Sequence, residues 1–296
     1  LAFLTYEPET DSYYDYEALK YKEYKAFISV PGRDDDLDYR ARIQDCSTYE
    51  DWVSDYIDSV TLLEKIRDTR AFCGFTRLSS ADQLDIELEK SMINITGPDS
   101  NLLPATFSRG EGIFVQLNEN RIDRWLKKKK LNEHIGQVQE NMRPDMQALE
   151  SYPTFILLHT LSHLLIKEIS LECGYSSPSL RERIYCNSYK RDKMNGILIY
   201  TSAGDTEGSL GGLVNMGKPG NLERIINNAL DKSHWCSSDP ICSSIGAQGP
   251  FSDNLASCHN CSIISETSCE HFNSNLDRTL LVNTYINKSI NYFDEV

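Results

Sequence analysis

Positive charge is in short supply in this chain. Thirty Lys and Arg stand against 44 Asp and Glu, a formal net charge of −14, which argues against a surface that coats nucleic acid uniformly. Cysteine is sparse too: nine in 296 residues is well below a disulfide scaffold, and the number is odd. No apolar run approaches the ~20 residues of a membrane helix, and no basic-then-apolar segment opens the chain. The phosphate loops G-x-x-x-x-G-K-[ST] and G-x-G-x-x-G are both missing. What remains, at 40% hydrophobic and 25% charged residues, is a globular composition, read as cytoplasmic and as a piece of a longer protein, since it begins at Leu1.

The acidic excess is uneven. Residues 1–60 hold 15 acidic and 6 basic side chains, with "GRDDDLDYR" the densest piece. This acidic, Tyr-rich segment is expected as an N-terminal unit of its own, and its stretch "YEPETDSYYDYEALKYKEYKAF" as an exposed amphipathic element that docks on something absent from this chain. Residues 61–296 are expected to form one α+β (mixed) domain, helices around a small mixed sheet, with a loop-rich lobe over 231–283. "YEDWVSDYIDSVTLLEKIRDTRAF" reads as a helix, because Trp52, Tyr56, Ser59, Leu63 and Ile66 fall on one stripe. "EGIFVQL" and "NGILIYTS" read as strands, and "SLRERIYC" as either helix or strand. "NENRIDRWLKKKKLNEHIGQVQENM" reads as a helix, and "YPTFILLHTLSHLLIKEISLECG" as a buried core helix ended by glycine. "NLERIINNALDKSHW" reads as a helix with an Asn cap.

Five of the nine cysteines gather in "CSSDPICSSIGAQGPFSDNLASCHNCSIISETSC". Cys258 and Cys261 form a C-x2-C pair, which delivers two thiolates from one tight turn, as tetrahedral zinc requires. Cys269 follows, Cys242 precedes, and Cys236 is a fifth candidate. The residues between are Ser, Asp, Pro, Gly and Asn, too polar to hold a lobe together. A structural Zn2+ ion would stabilise it, by roughly 10–16 kcal/mol in small zinc domains. An iron–sulfur cluster uses the same ligands, His259 or His271 could replace a cysteine, and free thiols are the bland alternative.

Other groups carry weaker signals. "HTLSH" sets His159 and His163 four apart on one helix face, but Thr160 stands where a metalloprotease has its glutamate. Buried, hydrogen-bonded core histidines are the favoured reading. The competing one is a metal-dependent hydrolase that adds Asp205 or Glu207. The glycines of "TSAGDTEGSLGGLV" read as tight turns. Trp125 beside Lys127, Lys128, Lys129 and Lys130 could stack a base while the cations track phosphates. Arg181 and Arg183 could pair with carboxylates or with phosphate.

The motifs "LLEKIRDTRAFCGFTRL", "RGEGIFVQL", "LLHTLSHLLI", "GYSSPSLRERIY", "GILIYTSAGDTEGSLGGLV", "WCSSDPIC", "ASCHNC" and "ETSCEHFNSNLDRTLLV", in that order, resemble the B-protein family of DISARM, a bacterial anti-phage system. Its zinc-binding module is also similar to the C-terminus of certain superfamily 2 DNA-repair helicases. The resemblance implies a non-enzymatic, zinc-binding accessory subunit that partners a separate superfamily 2 DNA helicase and assists DNA binding. It also implies five cysteines, Cys236, Cys242, Cys258, Cys261 and Cys269, for four coordination positions, with Cys236 the expected bystander.

Overall fold

The structure, a computed structural model, describes residues 16–29, 38–71, 104–139, 152–186, 188–189, 192–201, 211–244, 246–249, 252–284 and 289–294. Asp205, Glu207 and most of the acidic run near residue 35 lie outside the described residues.

The class is α+β, built in three layers. Strands β1 (Arg40–Ile43), β2 (Ile57–Ala71), β3 (Ala105–Leu117), β4 (Leu180–Tyr185), β5 (Ser188–Tyr189), β6 (Asp192–Lys193) and β7 (Gly196–Thr201) form two sheets. The larger has the order β1-β2-β3-β7-β4, and the smaller is the β5-β6 pair. All pairings are antiparallel where a mixed sheet was expected. Long crossovers are unnecessary between antiparallel neighbours, so the helices are free to cover both faces.

Side chains alternate between those faces. Val60, Leu62, Ile113, Val115, Ile184, Ile197 and Ile199 belong to the main core under the helix Tyr152–Cys173. Leu63, Phe114, Tyr185 and Leu198 meet Tyr24 and Phe27 of the N-terminal helix Tyr16–Ser29 on the opposite face. That helix therefore docks on the chain's own sheet. Its Lys20 Nζ donates to the Ile184 carbonyl at 2.8 Å, and Thr61 Oγ1 donates to the Phe27 carbonyl at 2.8 Å. Residue 60, the expected boundary, lies inside β2.

The helix expected over residues 49–72 is a correction. Among its described residues only Val53–Tyr56 is helical, and β2 takes Ile57–Ala71. Because β2 is covered on both sides, its buried residues run together at 60–63 instead of alternating, and the run mimics a helical stripe. The basic segment also divides, into helices Glu119–Trp125 and Lys129–Gln139. Asn221–Ser233 is helical as expected, though Gly220, at φ 81°, holds the N-cap position in place of the asparagine. Glu223 accepts the Gly220 N–H at 2.6 Å.

Contrary to the expectation that no run approaches membrane length, the helix Tyr152–Cys173 is long and apolar enough to cross a membrane by length and composition, but 83% of its most apolar window is buried inside the protein, as in a core helix. Between Cys236 and Leu276 the described residues form mostly turns, with the short helix Ile241–Ser244 and a bridge between Gln248 and Asn254.

Candidate metal centre

The turn-rich segment brings four thiols together: Cys236, Cys242, Cys258 and Cys261, whose sulfurs all lie within 4.8 Å of one another. Sulfur–sulfur separations are 3.5 Å for Cys236–Cys258, 3.7 Å for Cys242–Cys261 and 3.8 Å for Cys258–Cys261. A tetrahedron with metal–sulfur bonds of about 2.3 Å has edges of about 3.8 Å, so the thiols stand at the corners a zinc ion requires. A disulfide would need about 2.05 Å, and none of these four thiols is in one. All four tetrahedral positions are supplied by the protein, which leaves none for water or substrate.

Hydrogen-bond donors converge on two of the sulfurs. The Ser238 N–H donates to Cys236 Sγ at 3.4 Å, and Cys261 Sγ accepts from the Cys258 N–H at 3.2 Å and the Ser262 hydroxyl at 3.3 Å. The bond from Cys242, opposed by burial and helped by Ser262, the Cys258 N–H and the Arg278 charge, pulls the Cys261 thiol down to about 4. The Cys242 thiol is pushed far up by that same neighbour and by burial, and the Cys236 thiol is pushed up chiefly by burial. Four thiolates this close repel one another strongly without a cation between them. Arg278, fully buried, supplies positive charge at the rim. It makes a bidentate pair with Asp239 at 2.7 and 2.8 Å and donates to the Ser233 carbonyl at 2.7 Å. Asp239 in turn accepts the Cys236 N–H at 2.8 Å.

This placement redistributes the five cysteines. Cys236, the expected bystander, belongs to the four-thiol cluster. Cys269 stands instead with His159, His163 and Glu182, four groups whose ligand atoms also lie within 4.8 Å of one another. His159 and His163 come from one face of the core helix, as their spacing predicted. Glu182 comes from β4, on the same sheet face as Leu180 and Ile184, and was missed from the sequence. Its signal is an acid at an alternation position that points into the core.

"HTLSH" is used almost completely. The Ser162 hydroxyl donates to Glu182 Oε2, and Thr160 Oγ1 accepts the Asp277 N–H at 2.9 Å. Burial alone would push the Glu182 carboxyl up; the two imidazoles beside it hold it well below the usual carboxylate range. Burial, with the Glu182 charge adding, pushes the Cys269 thiol well above its ordinary value.

Of the glycine-rich motif, residues 202–210 lie outside the described residues, and the part from Gly211 onward has a structural explanation. Buried Glu111 accepts the N–H groups of Gly211 at 2.7 Å and Leu213 at 2.9 Å, and the Tyr175 hydroxyl at 3.2 Å. The protein's own carboxylate thus fills the anion position at the start of the helix Gly212–Met216.

The expected nucleic-acid residues do not form one patch. Trp125 is 2% exposed and its indole N–H donates to the Ile290 carbonyl at 2.6 Å, so it is a core residue with no free face for a base. Lys128 is held by the Asn291 carbonyl at 3.0 Å and Asp294 at 3.1 Å. Lys127, Lys129 and Lys130 are exposed, with Lys129 3.7 Å from Glu133. Arg183 lies on the far face of β4, paired with Glu23 at 2.6 Å and Glu270 at 3.3 Å. Arg181 is half-buried on that same face.

Fold and site together define a zinc-binding α+β protein. Residues 161–262, which contain all four clustered thiols and exclude Cys269, match the family described as the MrfA Zn-binding domain. Over 288 residues, 94% of this chain, the sequence is 34% identical to the DISARM protein DrmB of Bacillus paralicheniformis. The resemblance to the DISARM B proteins therefore holds along nearly the whole chain, which spans 50% of that relative's length. Among solved structures, the DUF1998 helicase MrfA bound to DNA matches 77% of this chain and 24% of its own, at 10% identity and a TM-score of 0.31.

Proposed function

We propose that this chain is the zinc-binding part of a DISARM B-type protein, a non-catalytic accessory subunit that partners a superfamily 2 DNA helicase in anti-phage defence and assists its hold on DNA. The observation that carries this reading is the 34% identity to DrmB across 94% of the chain. The four-thiol cluster fits it: a site whose coordination positions are all protein thiols stabilises a lobe and offers no place for catalysis. In this reading zinc is held by Cys236, Cys242, Cys258 and Cys261, where its charge offsets the thiolates and orders the turns between them. The hydrolase alternative is disfavoured, because His159 and His163 are fully buried and their facing positions are taken by Glu182 and Cys269.

Contact with DNA is assigned to the exposed Lys127, Lys129 and Lys130; Lys128 and Arg183, held by protein groups, and half-buried Arg181 are left out of it. Given the net charge of −14, the chain is expected to bind DNA weakly alone and to work beside a more basic partner in the cytoplasm. The test measures DNA affinity against salt for the chain, a co-purified helicase subunit and their mixture. The mixture should bind more tightly than either component. Reversing Lys127, Lys129 and Lys130 to Glu should weaken that binding and flatten the salt slope by about 0.9 per lost phosphate contact. A mixture no tighter than the helicase alone, or a slope unmoved by the reversal, sinks the proposal.

A further inference from the structure

A second group of donors lies apart from the four thiols. His159 and His163 extend from the core helix, Glu182 from β4, and Cys269 from the turn after the four-thiol segment. The histidines and Glu182 have no solvent exposure. Glu182 Oε1 stands 3.0 Å from His159 Nε2 and 3.4 Å from His163 Nε2, and Cys269 Sγ stands 3.2 Å from His159 Nε2. With metal–nitrogen and metal–oxygen bonds of about 2.0 Å and a metal–sulfur bond of about 2.3 Å, a tetrahedron has edges of about 3.3 to 3.5 Å. Three separations contributed by three different elements fall close to that range.

Hydrogen bonding alone does not explain the arrangement. His163 Nδ1 lies 2.9 Å from the Ser262 carbonyl, which can only accept, so Nδ1 carries a proton. In the neutral ring Nε2 is then a lone pair. It is buried, it has no hydrogen-bond partner, and it faces a carboxylate oxygen that is also an acceptor. Two acceptors turned toward each other in a dry interior repel unless a cation lies between them. The tautomer is the one that metal-binding histidines adopt, with the far nitrogen donating to a backbone carbonyl.

The cysteine is prepared in the same way as those of the first cluster. Cys269 Sγ accepts the N–H groups of His271 at 3.3 Å and Asn273 at 3.2 Å. The turn that aims them holds Phe272, Asn273 and Asn275 at φ 54°, 57° and 59°, left-handed conformations that cost energy for residues other than glycine. Asn273 is pinned by its amide, which pairs with both backbone groups of Ile264 at 3.0 and 3.1 Å.

We propose that His159, His163, Glu182 and Cys269 form a second, structural zinc centre that ties the core helix and β4 to the turn after the four-thiol site. Two neutral imidazoles, one carboxylate and one thiolate against a dication sum to zero charge, as a site without solvent requires. All four positions are again filled by protein, so the centre is closed. Through Ser262, adjacent to Cys261, its outer hydrogen bond reaches the first cluster and couples the two.

The decisive measurement uses the unaltered chain. Zinc content by mass spectrometry should be two per chain, and zinc X-ray absorption should show five sulfur and three nitrogen or oxygen neighbours over the two ions. Separate variants then assign the ions: His163→Gln or Cys269→Ser should lose one zinc and leave the remaining ion with sulfur neighbours only. One zinc per wild-type chain with an all-sulfur shell overturns the proposal, whatever the variants do. So does a second zinc that survives both substitutions.

Discussion

At the residue scale, the strongest dependence falls on two side chains that the quoted motifs contain but whose pairing they do not reveal. Arg278 is fully buried, and its guanidinium is matched to Asp239 beside the four-thiol cluster. Removing one partner of such a pair leaves an uncompensated buried charge, at a cost of about 3–5 kcal/mol. Arg278→Met is therefore expected to lower the urea midpoint by that equivalent, and Arg278→Met with Asp239→Asn to recover part of the loss. Equal destabilisation by the single and double variants would show that the charge pair is not the cause. Trp125 teaches the complementary lesson. Its place beside a lysine run suggested stacking on a base, but the indole fits the core, and the segment Ile290–Phe293 closes over it. A side chain's neighbours in sequence say which charges are near, while burial decides whether its ring is available.

At the element scale, the pieces that were read correctly are those with one environment along their length. The core helix is apolar nearly all round because sheet, helix and turn segments surround it, and the helix Asn221–Ser233 keeps a single apolar stripe. Strand β2 was misread for the opposite reason, since its two faces enter two different cores. Strand β4 carries the same ambiguity at smaller scale: Arg181 and Arg183 face one layer and Glu182 the other, so one short motif serves an ion-pair network and a candidate metal site. The start of the helix Gly212–Met216 depends on Glu111. Glu111→Ala would leave the Leu213 N–H buried without its partner, at about 1–3 kcal/mol, and would release the Gly211 N–H to solvent. Amide hydrogen exchange at Leu213 and Val214 should accelerate accordingly, with the sheet amides unchanged. Unaltered exchange there would mean that water or another group serves this helix start.

At the scale of the whole molecule, stability is divided between two kinds of material. The three-layer body has one apolar core on each side of the sheet. The segment from Cys236 to Leu276 has almost no regular structure and is held by side-chain hydrogen bonds, Arg278 and the thiols. Because metal binding to such a segment is folding free energy, chelation should open it first. Limited proteolysis after zinc removal is expected to cut within 236–284 while β2, β3 and β7 remain protected, and added zinc should restore resistance. Simultaneous cleavage in the sheet would show that the ions hold the body as well.

The sequence by itself determined that this is an α+β protein with a metal-binding cysteine segment, and its motifs pointed to the DISARM B proteins. These properties are written locally, in ligand types at short spacing, in apolar periodicity and in ordered motifs. Only the tertiary structure decided how five cysteines divide into four and one, because coordination depends on which turns meet in space rather than on which cysteines are consecutive. It also decided that His159, 110 residues from Cys269, shares a site with it and with a glutamate on a strand. The reason is physical: a buried donor set is assembled by the packing of helix, sheet and turn against one another, and no single element contains enough of it to be read alone.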